Sequence, residues 1–137
     1  MTAMKARSIW VSGYRSVIDN GRGHSVVTDL PTADGGEDTG ATALELAVMG
    51  LAGCVTTIFK KVAEKRNLEY SSLVVEVEAE KGEKTIEKCK VVLTIRTNAS
   101  KEEVEKTLEL TERICPVGIL FEKAGVSITW EIKLESA

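Results

Sequence analysis

The segment Leu44–Phe59, LELAVMGLAGCVTTIF, constrains the fold more than any other stretch of the chain. It holds one charge, Glu45, and one cysteine, Cys54. Alanine, leucine and methionine favour helix, and the run is too long for an ordinary strand. Apolar residues occur all the way round, which in a soluble protein calls for a helix enclosed by other structure. Gly50 and Gly53 each weaken that helix by about 1 kcal/mol, and their spacing of one turn predicts a close approach of another backbone. A free cysteine in such a setting is by default a small core residue, so Cys54 acquires chemistry only from context.

The flanking segments say what encloses the helix. Residues 5–11, Tyr14–Ile18 and His24–Leu30 read as three short strands, punctuated by Gly13 and by the hairpin signal Asn20-Gly21. Pro31 to Gly40 reads as a loop. Thr42 and Glu45 form a capping box at the start of the central helix, which should run to about Arg66 with cations in its last turns. Leu73, Val75, Val77 and Ala79 alternate with glutamates as a one-sided strand. Cys89, Val91, Leu93 and Ile95 share the buried parity of the next strand, which places Cys89 in the core. Ser100 and Glu103 open a second helix that buries Val104, Leu108, Thr111 and Cys115. Pro116 disfavours helix at Cys115, so this helix should break there and restart over Val117–Ala124, ending at Gly125. A last strand alternates Val126, Ile128, Trp130, Ile132 and Leu134. The order predicts an α+β protein on antiparallel sheets, with a long buried central helix and a kinked second helix. One small sheet cannot cover the girth of the central helix, so an obligate homodimer is expected, its helices meeting through Gly50 and Gly53.

At 137 residues the chain is expected to be one domain, residues 1–137. A net charge of −3, with acidic and basic residues interspersed, argues against nucleic acid as a partner. Two Trp, two Tyr and two Phe are too few for base-stacking platforms. Charges at Glu45 and Lys60 close off the apolar run before it reaches the length of a membrane span. The N-terminus lacks the apolar block of a secretion signal, so a cytoplasmic location is expected. Three cysteines do not make a disulfide framework, and a bridge in a reducing compartment would be transient and catalytic. One histidine and no CxxC or HxxxH spacing give no metal site, and no cofactor is implied.

Cys54 and Cys115 both fall on inward helix faces. A catalytic Cys54 needs a cation, because the thiolate is the nucleophile and a mid-helix position gains nothing from the helix dipole. Arg15, Arg22 and His24, in the N-terminal meander, are the candidates, although charged hairpin residues are ordinarily just solvated.

Gly40–Cys54, GATALELAVMGLAGC, with Ile114–Gly118, ICPVG, and the final strand, resembles the superfamily of osmotically inducible protein C and organic hydroperoxide resistance protein (OsmC/Ohr). The order of elements is similar over essentially the whole chain. Ala43 stands where the first motif usually has proline. The resemblance implies an intertwined α+β homodimer and, in the characterised branches, thiol-dependent reduction of organic hydroperoxides at the expense of an external dithiol. It makes Cys54 the peroxidatic and Cys115 the resolving cysteine, and Arg22, in the GRGHS hairpin, the best match to an activating arginine. Peroxidase branches carry a glutamate ten residues before the first cysteine, where this chain has Leu44. Glu45 is nine before it, on the opposite helix face and about 13.5 Å away along the axis, so it could serve only through a bent helix start or from the other subunit. That spacing looks more like the YhfA-like branch. The expected function is therefore a thiol peroxidase with Cys54, Cys115, Arg22 and Glu45 in its site. The alternatives are a dimer that binds a small apolar ligand and a protein that senses oxidation without turnover.

Overall fold

The computed structural model describes residues 2–137. The elements are β1 (Arg7–Ser12), β2 (Arg15–Asp19), β3 (Ser25–Thr28), α1 (Ala43–Lys65), β4 (Ser72–Lys81), β5 (Ile86–Arg96), α2 (Lys101–Ile114), α3 (Pro116–Lys123) and β6 (Ser127–Glu135), with a 3-10 turn at Thr32–Asp34. These elements group into two compact units, Met1–Ala47 and Val48–Ala137, with α1 starting in the first.

The first unit is the expected antiparallel meander, β1-β2-β3. Gly21, at φ +78, makes the hairpin turn that Asn20-Gly21 predicts, and Asp19 and Asn20 side chains accept from the Gly21 and Arg22 amides. The unit ends in the predicted capping box. Thr42 Oγ1 accepts from the Glu45 amide at 3.0 Å, and Glu45 Oε1 accepts from the Thr42 amide at 2.9 Å.

The second unit holds the sheet β4-β5-β6. Register places Leu73, Val75, Val77 and Ala79 of β4 beside Ile95, Leu93, Val91 and Cys89 of β5. Leu134, Ile132, Trp130 and Ile128 of β6 follow on the other side of β5. Val91, Leu93 and Ile95 are fully buried and Cys89 nearly so, as the alternation predicts. β6 runs parallel to β5, which corrects the expectation of antiparallel sheets. Alternation fixes the buried face of a strand but not its direction, and the long helical connection through α2 and α3 permits the crossover that a parallel pair requires.

Helices cover the apolar face of this sheet. Phe59 and Ala63 of α1 meet Leu93, Ile95, Val104 and Leu108 in one cluster, with Leu68, Tyr70, Trp130 and Ile132 around it. Each large side chain enclosed there contributes about 1.5–3 kcal/mol. Ser100 caps α2 by accepting from the Glu103 amide. Pro116 has the predicted effect: Cys115 is extended at φ −68, ψ 108, between α2 and α3.

Within one chain α1 buries a single stripe, Leu51, Val55, Phe59, Val62 and Ala63. The opposite side, including Met49 at 57 % exposure, stays open. Apart from the helix's own backbone, a Cβ built on Gly50 or Gly53 meets no atom of the described residues within 4 Å, so the close approach predicted there is not made among them. The 23-residue α1 is also long and apolar enough to cross a membrane, contrary to the sequence expectation. Its buried stripe, packed on its own chain's strands and helices, is that of a core helix.

Candidate active site

Of the residues singled out by sequence, Cys54 and Cys115 come together in the second unit. Cys115 Sγ–H donates to Cys54 Sγ across 3.1 Å, and both are free thiols. The contact joins residues 61 positions apart, and two local features produce it. Cys54 lies on the flank of the buried stripe of α1, half-buried, beside Leu51 and Val55. Cys115 sits in the break between α2 and α3, where its extended backbone frees the side chain from the row of either helix. Cys115 is fully enclosed. A Cβ placed on Gly118 would lie 3.5 Å from Cys115 Sγ and 3.9 Å from Leu51 Cδ1, so these three residues pack around one point.

Burial pushes the Cys115 thiol up to about 11, and donation of its proton to Cys54 adds to the rise. The amides of Val117 and Gly118, at the start of α3, act in the other direction by favouring a negative sulfur. Of the two sulfurs, Cys115 keeps its proton and Cys54 accepts it in a hydrogen bond, which suits Cys54 for the nucleophile's part. Cys89, buried in β5, is also pushed up by burial, as an inert core thiol would be.

The remaining candidates belong to the first unit. Arg22 is exposed on the β2–β3 turn, and its guanidinium forms no salt bridge among the described residues. His24 Nδ1 lies 3.1 Å from Asn20 Nδ2. Arg15 is committed elsewhere: its Nε donates to Thr39 Oγ1 at 2.9 Å, and its guanidinium is 3.5 Å from Glu37. Glu45 closes the capping box, which occupies one of its carboxylate oxygens at the helix start.

Sequence reasoning missed Asp29. It is 3 % exposed, and its carboxylate accepts from the amides of Leu30, Glu37 and Thr39 and from the Thr39 hydroxyl. These bonds, the Thr39 hydroxyl first, hold its pKa down to about 2. Asp29 thereby organises the 31–40 loop and, through Thr39, the partner of Arg15. The only signal for it in the sequence is an acidic residue before a loop rich in Gly and Thr.

A family model described as OsmC-like protein matches residues 35–131, and the chain belongs to that family, within the OsmC/Ohr superfamily. Solved structures agree in fold. An OsmC-like protein from Mycoplasma pneumoniae aligns with a TM-score of 0.88 at 13% identity, covering 98% of each chain. An organic hydroperoxide resistance protein OsmC from Legionella pneumophila aligns at 0.73 and 17% identity, over 97% of this chain and 98% of that one. An organic hydroperoxide resistance protein from Elizabethkingia anophelis aligns at 0.75 and 14% identity, over 97% of this chain and 96% of that one. No curated protein matches in sequence.

Proposed function

We propose that this protein is a thiol peroxidase that reduces organic hydroperoxides. The observation that carries the reading is the 3.1 Å contact between the sulfur of Cys54, on α1, and that of Cys115, in the break between α2 and α3. A core needs no such pairing, whereas a peroxidatic and a resolving thiol must meet. The Cys54 thiolate attacks the distal oxygen of the hydroperoxide, the O–O bond breaks, and the alcohol leaves with a proton. Cys54 is then a sulfenic acid. Cys115 condenses with it, releasing water and forming a disulfide, and an external dithiol returns both cysteines to thiols. Arg22 is the cation assigned to the Cys54 thiolate, by its match to the family hairpin and its freedom from ion pairs among the described residues. Glu45 serves the helix start, and takes part in the chemistry only if a second subunit brings it across. No metal or cofactor enters this scheme.

The working unit is a homodimer in the cytoplasm. What supports the dimer is the apolar side of α1 that its own chain leaves open, together with Ile114 and Leu120, each more than half exposed. Counting hydroperoxide consumed per subunit in the presence of a dithiol tests the activity. Many cumene hydroperoxide molecules per subunit are expected. One per subunit would make the protein a sensor, and none would leave a dimer holding an apolar ligand.

A further inference from the structure

The reading above leaves open which sulfur the dithiol attacks, and the surroundings of the two cysteines differ enough to decide it. Thiol–disulfide exchange is an in-line displacement, so the incoming sulfur must approach the attacked one from behind the S–S bond. Cys115 has no exposed surface, and what closes it off is its own chain, with Gly118 beside its sulfur and Leu51 beside Gly118. A second subunit can add to that enclosure but cannot remove it. Cys54 is half-buried, on the flank of α1.

A second feature lies on the far side of Cys115. Pro116 has no N–H, and the first helical bond of α3 runs from the Ile119 amide to the Cys115 carbonyl at 2.9 Å. The amides of Val117 and Gly118 therefore have no backbone acceptor among the described residues. They act on Cys115 Sγ, although neither closes a full cap hydrogen bond while that sulfur is a neutral thiol. A departing, negatively charged sulfur is the partner they lack.

We propose that the external dithiol enters the Cys54–Cys115 bridge at Cys54, and that Cys115 is the departing sulfur, received by the Val117 and Gly118 amides. This rests on the disulfide of the proposed cycle. The dithiol's thiolate forms a bond to Cys54 Sγ, the Sγ–Sγ bond breaks, and its electron pair leaves on Cys115. The second thiol of the reductant then attacks its own sulfur in the mixed disulfide. That step releases the Cys54 thiolate and the oxidised, cyclic disulfide, so two electrons pass in all.

Leaving-group acidity taken alone points the other way, since burial makes Cys115 the poorer leaving group. Access outweighs it, because a sulfur that cannot be approached in line is not attacked at any acidity. The high proton affinity also has a use. Once released, Cys115 takes up a proton, and as a thiol it recloses the bridge slowly. The mixed disulfide then persists long enough for the second thiol of a dithiol to finish the exchange.

The test forms the bridge with diamide, which needs no peroxidase activity, and then adds glutathione. As a monothiol, glutathione stops at the mixed disulfide. Quenching after a short interval with N-ethylmaleimide in denaturant, which opens the buried thiols to the reagent, and mapping the peptides locates each group. Glutathione is expected on Cys54 and maleimide on Cys115, in roughly tenfold excess over the reverse pattern. Glutathione on Cys115, an even division, or no Cys54–Cys115 bridge after diamide would overturn the proposal. Single variants supply a second measurement. Cys54 in Cys115→Ser should react with N-ethylmaleimide roughly tenfold faster than Cys115 in Cys54→Ser, and equal rates would count against it. Hydroperoxide turnover is scored separately, so a protein that passes this mapping but consumes no peroxide rejects the peroxidase reading alone.

Discussion

Asp29 shows how one residue sets the pH range of its surroundings. Its folded value, about 2, lies below the 3.8 of an unperturbed aspartate, so folding favours the ionised form. The contribution is complete above about pH 4 and is lost as pH falls towards 2. The amides of Glu37 and Thr39 should therefore keep their exchange protection from neutral pH down to about pH 4 and lose it below. Asn in place of Asp29 turns one acceptor into a donor facing other donors, so Asp29→Asn should weaken this protection at neutral pH and abolish its acid dependence. If wild type and variant showed the same acid profile, another group would have to be setting it. Asp29 was illegible in the sequence because its role depends on partners up to ten residues away in an irregular loop. The cysteine pair was legible because its two motifs stand in contexts that the family shares.

At the level of elements, the break at Pro116 matters more than the helices it separates. With Pro116→Ala, the amide at 116 could bond to the carbonyl at 112, and α2 could run on through Cys115. Helicity by circular dichroism should rise slightly, while diamide should form the Cys54–Cys115 bridge several-fold more slowly, because a helical Cys115 no longer turns its sulfur to Cys54. Unchanged bridging would mean that packing around Leu51 and Gly118, not the proline, positions the thiol. Ser100→Ala is the control at the other end of α2. Loss of its cap should cost about 1 kcal/mol in denaturant unfolding and leave bridging untouched. Boundaries of this kind are legible, since caps, prolines and alternation act within a few residues. Thr42, Ser100, Pro116 and the parity of Cys89 all stand where local chemistry puts them. The direction of β6 was not legible, because it depends on the path of a long connection that no local pattern records.

At the scale of the whole molecule, the open side of α1 asks for an explanation. Gly50 and Gly53 lower helix propensity, yet among the described residues nothing beyond their own helix backbone comes within 4 Å of a Cβ added to either. Two glycines kept at that cost within one chain make sense if a second copy meets them. Gly50→Leu and Gly53→Leu separate the two cases. Inside a single chain each leucine has room and gains about 1 kcal/mol of helix propensity, so the fold should survive or improve. Across a tight contact between copies the same side chain overpacks the interface and typically costs about 1–3 kcal/mol. Sedimentation equilibrium should show wild type at about twice the 14.8 kDa chain mass at micromolar concentration. The variants should dissociate at concentrations roughly 5- to 150-fold higher, the ratio that such a cost implies, with their circular dichroism unchanged. If the leucine variants hold together as tightly as wild type, the glycines do not lie at an interface. If wild type itself sediments as a folded monomer, the homodimer is wrong.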